Sequence, residues 1–236
     1  MRNSLIKDGR LAAAYEMLGI SGLVADVGCD HGYLSAELVL SGRAERVIAS
    51  DISPVSVNKA AALARAYGIT DRMSAVTADG LSPLKDEPGP YKIAVCGMGG
   101  KLISRLLEEG AEAASRAELI VMQPMRGEAE LRRYLYENAY RIADERVVRE
   151  GRRFYQVIAA VPNERDTIPE GFPEGWFRFG WVMAKKSEPE LIPLLRHYRA
   201  VYARELGKAR AEGKNPESIL AELNNTEALL RFMGTE

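Results

Sequence analysis

The chain has 236 residues, of which 47% are hydrophobic and 28% charged, and its formal net charge is −1. That balance excludes a disordered or fibrous protein and allows one domain of ordinary size with a smaller appendage. No apolar run approaches the roughly 20 residues that span a bilayer, and the start, Met1-Arg2-Asn3-Ser4-Leu5, lacks the apolar core of a signal peptide. A cytoplasmic protein without a membrane partner is expected. Cys29, Cys96, His31 and His197 sit at no metal-binding spacing, so no metal is expected. Both cysteines read as small, partly buried hydrophobes in a reducing compartment.

Strand and helix patterns alternate along the first two thirds. Leu23–Val27 reads as a strand and Gly32–Leu40 as a helix. Arg46–Ser50 is a second strand, ending at Asp51. Ser53 is placed as N-cap and Pro54 as first-turn residue of a helix to about Tyr67. Met73–Thr77 is a third strand, leading to Asp79-Gly80. Lys92–Cys96 is a fourth, followed by Gly97-Met98-Gly99-Gly100 and a helix to about Glu109. Leu119–Met122 is a fifth, ending at Gln123-Pro124, and Glu128–Asn138 is helical. Arg141–Arg149 and Arg153–Val161 flank Glu150-Gly151-Arg152, a hairpin signal. The pattern predicts an α/β, doubly wound, mostly parallel sheet with one antiparallel strand at the end.

Pro162 to Pro173 is rich in proline, glycine and charge and reads as a loop. In Trp176–Lys186 the alternation of Phe177, Phe179 and Trp181 suggests a short strand. From Glu188 onward two apolar stripes, Leu191 to Leu206 and Ile219 to Met233, are separated by Gly213-Lys214-Asn215-Pro216. They predict two antiparallel helices. The expected boundaries are 1–162 for the sheet domain and 163–236 for linker and helical hairpin.

In such a sheet, ligands bind beyond the carboxyl ends of the strands, where the strand order switches. The acidic and glycine residues gather there. The first strand delivers Asp26, Gly28, Asp30 and His31; the second delivers Asp51; the third, Asp79; the fourth, the Gly97–Gly100 loop. A bend meant for a pyrophosphate would avoid the carboxylates of Asp26 and Asp30, because like charges repel. A cationic ligand suits them, and S-adenosylmethionine (SAM) fits best, with its sulfonium, ammonium and ribose hydroxyls. Asp51 is placed for the ribose hydroxyls and Asp79 for an adenine amino group. NAD is the competing ligand, but its fingerprint needs G-x-G-x-x-G. Here the glycines, Gly28 and Gly32, lie four apart, and Asp30 stands where the second glycine belongs. Each feature also has a plainer reading: a cap for the aspartates, packing for His31, Tyr33 and Met98.

The region from Lys185 to Lys214 carries eight Lys/Arg against four acids. It is either a solvated face or a handle for phosphates. Lys185, Lys186, Arg196, Arg199, Arg204 and Lys208 are the candidate RNA contacts, with Arg2, Lys7 and Arg10 as possible additions.

The stretch Asp26-Val27-Gly28-Cys29-Asp30-His31-Gly32-Tyr33-Leu34 resembles the bacterial tRNA adenine-N1 methyltransferases that act on adenine 22. So do Ala49-Ser50-Asp51-Ile52, Asp79-Gly80-Leu81, Gly97-Met98-Gly99-Gly100, Gln123-Pro124 and the helical tail. Cys29 and Gly32 stand where that family often has serine and alanine, substitutions that read as mild. The resemblance implies a Rossmann-like, class I SAM domain with a C-terminal coiled-coil-like domain and a tRNA partner; the sequence does not give the oligomeric state, for which a monomer is taken as a working assumption. It implies that Asp26, Gly28, Asp30, His31, Asp51, Asp79 and Gly97–Gly100 surround cofactor and target base. Cys29, Tyr33, Ile52 and Gly80 complete the cofactor set, and Asp30, His31, Gly97 and Met98 are the candidates for positioning the adenine. The Gly97–Gly100 loop lacks the Asn/Asp-Pro-Pro-aromatic motif that grips an exocyclic amine, which favours a ring nitrogen. The alternatives are a SAM-dependent methyltransferase of another RNA, a ribosomal component or a small molecule; a non-catalytic RNA-binding protein; and an NAD-linked reductase, for which a Tyr-x-x-x-Lys dyad is missing.

Overall fold

The computed structural model describes residues 3–167 and 175–235. The expected Pro162–Pro173 loop therefore lies partly outside the described residues, as does Arg2. The chain forms two compact units, Met1–Asp166 and Thr167–Glu236. The division falls after Asp166 rather than after Pro162. An Asp166 carboxylate oxygen accepts the Ile142 amide at 3.0 Å and ties this segment to the first unit.

The first unit runs α1 (Gly9–Leu18), β1 (Ser21–Val27), α2 (Tyr33–Leu40), β2 (Ala44–Asp51), α3 (Pro54–Ala66) and β3 (Met73–Thr77). It continues with β4 (Tyr91–Gly99), α4 (Gly100–Glu109), α5 (Ala111–Ser115), β5 (Ala117–Arg126), α6 (Glu128–Glu137), β6 (Tyr140–Glu150) and β7 (Arg153–Pro162). Helix α1 precedes everything the apolar pattern marks. Its signal is a cap: Asp8 accepts the amides of Arg10 and Leu11 at 2.8 and 3.4 Å. Ser53 caps α3 through the Ser56 amide at 3.4 Å, with Pro54 in the first turn as expected.

Among the described residues the strands form one sheet in the order β3-β2-β1-β4-β5-β7-β6. All pairings are parallel from β3 to β5, whereas β7 is antiparallel to both its neighbours. The antiparallel strand thus lies one place in from the edge, and β6 is outermost. Strands β1, β4 and β5 are buried on both faces, which explains their unbroken apolar runs. The strand order reverses between β1 and β4, so the loops after these strands face each other across the sheet's carboxyl edge. Register shifts flank Met98 in the β4–β5 ladder and turn that loop out of the regular pleat.

In the second unit, Trp176–Phe179 (α7) and Trp181–Lys185 (α8) are helical, not a strand. Gly180 at φ 78° separates them, and Trp176, Phe179, Trp181, Met183 and Ala184 are buried, a spacing no strand would produce. Helices α9 (Leu191–Ala211) and α10 (Glu217–Phe232) pack on each other as the two apolar stripes predict. Their turn uses Gly213 at φ 64°, and the Lys214 amide donates back to the Ala209 carbonyl at 2.9 Å.

A fully buried charge joins α6 to β6 and β7. Arg132 donates to Glu145 through Nε and to Gln156 Oε1, both at 2.6 Å, and the Arg132 and Glu145 side chains have no solvent exposure. Removing one partner strands the other in a dry interior, at a cost of about 3–5 kcal/mol, whereas an apolar pair of similar volume avoids this. Arg132→Met should therefore lower stability by about that amount in urea titration, and Arg132→Met combined with Glu145→Leu should lose clearly less.

Candidate active site

The bend after β1 is tied to β2. The amides of Gly28 and Cys29 both donate to the Ser50 carbonyl, at 2.8 and 2.9 Å, and the Gly32 amide donates to the Cys29 carbonyl at 2.7 Å. Gly28 has φ 78°, and a Cβ there would collide with the Met98 methyl group. Gly32 has φ 73°, and its Cβ would lie 2.8 Å from the Ala60 Cβ and 2.9 Å from the Met73 Cε. Alanine at position 32 is therefore not mild in this chain: both the backbone and the packing against α3 oppose it. Asp30 also takes a left-handed conformation, φ 47°, which aspartate tolerates better than most residues.

Four carboxylates frame this bend and differ in environment. Asp26, at the end of β1, is buried and accepts from the Ser35 hydroxyl at 2.6 Å. Loss of hydration pushes its pKa up to about 6; the Ser35 hydrogen bonds oppose the shift and the nearby Asp51 charge adds to it. Asp51 uses both oxygens on backbone, one on the Asp30 amide at 3.2 Å and the other on the Ser53 amide at 2.8 Å. Asp30 receives His31 Nδ1 at 2.7 Å, and the Lys59 amine lies 3.2 Å from His31 Nε2. An ammonium can only donate, so the ring is held in its Nδ1–H tautomer. His31 and Tyr33 lie parallel, with centroids 5.6 Å apart and planes 1° from each other. The fourth carboxylate, Asp8, holds the Arg10 guanidinium, which also lies 4.6 Å over the Tyr155 ring and 3.7 Å from Glu150.

Between the β1 and β4 loops is a cavity of about 220 Å³, lined among others by Arg10, Asp26, Gly28, His31, Gly97 and Gln123. Cys29, Asp30 and Tyr33 also border it. Asp79 and Gly80 do not. They line a separate cavity of about 310 Å³ between the turn after β3 and helices α4 and α5. Ile52 is exposed beside Asp51. The fold thus gathers the expected residues of the first strand and Gly97 of the fourth around one cavity, with the Met98 methyl over Gly28 and Gly99 outside the lining; it leaves those of the third strand in another cavity and brings Asp51 in through its hydrogen bond to Asp30. Gly99 caps α4, and Gly100 packs against the Gly127 carbonyl, so the β4 and β5 loops touch backbone to backbone.

Three residues contribute to the site in roles that the sequence did not assign them. Gln123 is buried, accepts the Gly97 amide at 3.2 Å and donates to the Pro124 carbonyl at 2.8 Å, which pins the β4 loop. Lys59 reaches His31 from α3. Arg10, taken from the sequence as an RNA contact, is committed to Asp8, Tyr155 and the cavity wall. The cap at Asp8 was the only local hint that a helix starts there. Burial raises the thiol of Cys29 to about 12 and that of Cys96 higher still, so neither is a nucleophile near neutral pH. Among the described residues, no three metal-binding side chains approach closely enough to hold an ion, and no helix is long and apolar enough to cross a membrane.

In the second unit, Lys185 sits 5.6 Å over the Trp181 ring and Lys186 pairs with Glu188 at 3.1 Å. Arg196, Arg204 and Lys208 are exposed on α9 and Arg199 is half-buried, while Leu191, Leu194, Leu195, Leu206 and Ala209 are buried.

Comparison with known proteins places this geometry. Residues 7–158 match the model of a methyltransferase domain family. The tRNA (adenine(22)-N(1))-methyltransferase of Bacillus subtilis is 27% identical over 97% of both chains. The crystal structure of the B. subtilis m1A22 tRNA methyltransferase TrmK superposes with a TM-score of 0.76 at 27% identity, over 98% of this chain and all of that one. Streptococcus pneumoniae Sp1610 in complex with S-adenosyl-L-methionine gives a TM-score of 0.84 at 23% identity, over 95% of this chain and all of that one, a likeness of fold. With its family model spanning α1 through most of β7 and with the site at the switch between β1 and β4, the chain belongs to the methyltransferase domain family.

Proposed function

We propose that the protein is a SAM-dependent tRNA methyltransferase that modifies N1 of adenine, at position 22 of the tRNA. The single observation that carries the reading is Asp26, a buried carboxylate that lines the cavity beside a glycine bend and takes its side-chain hydrogen bond from the neutral Ser35 hydroxyl. The residues fit a positively charged donor. Gly28 leaves no Cβ in its path, and the one side chain over the bend is the flexible end of Met98. The similarity to the B. subtilis enzyme over nearly the whole of both chains supports the same substrate, and the likeness to Sp1610 supports the same cofactor.

When bound, SAM supplies an electrophilic methyl group on a positive sulfur. Asp26 would face its ammonium, Gly28 and Cys29 would let it pass close to backbone, and Asp51 with Ile52 would border the ribose. Asp79 and Gly80, in their separate cavity, are the remaining candidates for its adenine. Adenine N1 carries an in-plane lone pair, so no proton has to leave before it attacks. The residues then act mainly by orientation, which can supply on the order of 7–11 kcal/mol. Gln123 fixes Gly97 and thereby Met98. Asp30 and Lys59 fix His31, whose ring with that of Tyr33 offers a flat surface for the base. The cysteines stay protonated and take no part. The basic side chains Lys185, Lys186, Arg196, Arg199, Arg204 and Lys208 would hold the tRNA body while the target base leaves its stack. The reading carries with it a cytoplasmic monomer, with residues 163–236 as the tRNA-contacting part.

Incubation with methyl-labelled SAM and bulk tRNA, followed by nucleoside analysis, should yield N1-methyladenine, and a tRNA with guanosine at position 22 should yield none. Label in another nucleoside would replace the substrate assignment. Asp26 must be ionised to meet an ammonium, so affinity for S-adenosylhomocysteine should fall as pH drops through about 6, approaching tenfold per pH unit below it. Asp26→Asn should bind more weakly at pH 7 and lose that pH step in calorimetry. The ligand-free fold behaves oppositely. Its contribution from Asp26 is fully present below the ordinary value of 3.8 and is lost as pH rises through about 6. Replacing Arg196, Arg199, Arg204 and Lys208 together by glutamine should weaken tRNA binding and flatten its salt dependence by roughly 0.7–0.9 per lost phosphate contact, with cofactor affinity unchanged.

A further inference from the structure

The hairpin between β6 and β7 ends on the same edge of the sheet as the candidate site. Strand β5 runs parallel to β1 and β4, and Met122 of β5 pairs with Ile158 of the antiparallel β7. Followed toward the carboxyl end of β5, β7 therefore leads back to its own start at Arg153, which pairs with Glu150. The tip, Glu150-Gly151-Arg152-Arg153, thus lies at the same carboxyl edge of the sheet as Arg126, the last residue of β5, whose register partner is Gly99 of the β4 loop. Arg126, Arg152 and Arg153 are all exposed.

Many arginines of this unit face a carboxylate: Arg10, Arg43, Arg46, Arg105, Arg116, Arg132, Arg141 and Arg146 each pair with an acid. Among the described residues, Arg126, Arg152 and Arg153 have no such partner. The one acid at the tip, Glu150, is turned inward, where it accepts the Gly9 amide at 2.9 Å and lies 3.7 Å from Arg10. Arg149 is likewise spent on the hairpin itself, with its guanidinium 5.5 Å over the Phe154 ring. Exposed Met125, 40% accessible, adds an apolar edge beside Arg126.

Three guanidiniums without a carboxylate partner at one edge of the sheet give that edge a positive potential, which a polyanion answers. Planar, forked guanidinium groups match phosphate oxygens. We infer that the β6–β7 hairpin tip and Arg126 form a phosphate-binding rim that holds the RNA backbone at the mouth of the cavity, in the first unit itself. The inference rests on the proposed reading of the site as an RNA methyltransferase centre and adds the surface by which the strand enters it. The rim lies outside the cavity, so its task is to orient the strand by its phosphates and leave choice of base to the cavity.

The test uses the full chain with Arg126→Gln, Arg152→Gln and Arg153→Gln combined, and Arg65→Gln as control. Arg65 is exposed near the far end of α3 and removes one charge away from this edge. Labelled tRNA is titrated by fluorescence anisotropy at several salt concentrations, and S-adenosylhomocysteine binding is followed by calorimetry. The triple variant should bind tRNA at least about tenfold more weakly at low salt and lose about 2 in the slope of log affinity against log salt, with cofactor binding intact. The control should match the wild type. Unchanged tRNA affinity and slope in the triple variant would overturn the rim. So would an Arg65→Gln loss as large per charge as that of the triple variant, which would mark a bulk charge effect. A wild type that binds tRNA through these arginines yet transfers no methyl to it would sink the activity while leaving the rim standing. No tRNA binding at any salt would remove both.

Discussion

Two neighbouring amides, those of Gly28 and Cys29, share one acceptor, the carbonyl oxygen of Ser50. That fork decides where the chain can go after β1. It forces Gly28 and then Asp30 into left-handed conformations and delivers the chain to α2 at a third such residue, Gly32. Glycine at two of these positions is a steric requirement: Met98 lies over one and Ala60 and Met73 crowd the other. Once the bend is fixed, the positions of the carboxylates follow. Asp26 remains below it in the dry end of the sheet, Asp30 stands above it in solvent, and Asp51 joins the loops after β1 and β2 by spending both oxygens on their amides.

The same sheet edge shows how similar side chains acquire different roles. Asp26 is stripped of water and retains a single strong donor, the Ser35 hydroxyl, so its proton is held more tightly than in an exposed carboxylate. Asp51 is a structural tie. Asp30 belongs to a surface chain with His31 and Lys59. None of these differences is a property of aspartate; each comes from depth in the fold and from the donors that the backbone turns toward the side chain.

The parallel strands were legible because burial on both faces leaves continuous apolar runs, and the turns were legible because glycine and proline punctuate them. Asp26, Gly28, Asp30 and Gly97 could be grouped because the carboxyl ends of adjacent parallel strands must share an edge. What could not be read depended on pairings distant in sequence. Arg10 reaches the site only because α1 folds back across β5, β6 and β7. Gln123 looked like a strand terminator and proved to be the residue that holds Gly97. Lys59 sits on a helix face whose neighbour, His31, is 28 residues away. The segment from Trp176 misled because four aromatic residues in six can alternate by chance, and burial inside a helical unit overrode their strand preference.

The bond from the Gly9 amide to Glu150 spans 141 residues, so the first helix of the chain is anchored by nearly the last strand of its unit. This has a consequence in time. During synthesis α1 leaves the ribosome well before the β6–β7 ribbon, and its dock on that ribbon does not exist until the ribbon has been made. Closing so long a loop is entropically costly and belongs late in assembly. One wall of the cavity, Arg10 with Asp8, therefore comes into place only when the ribbon does, and a nascent chain halted before Glu150 lacks a finished pocket however well β1 to β5 have formed.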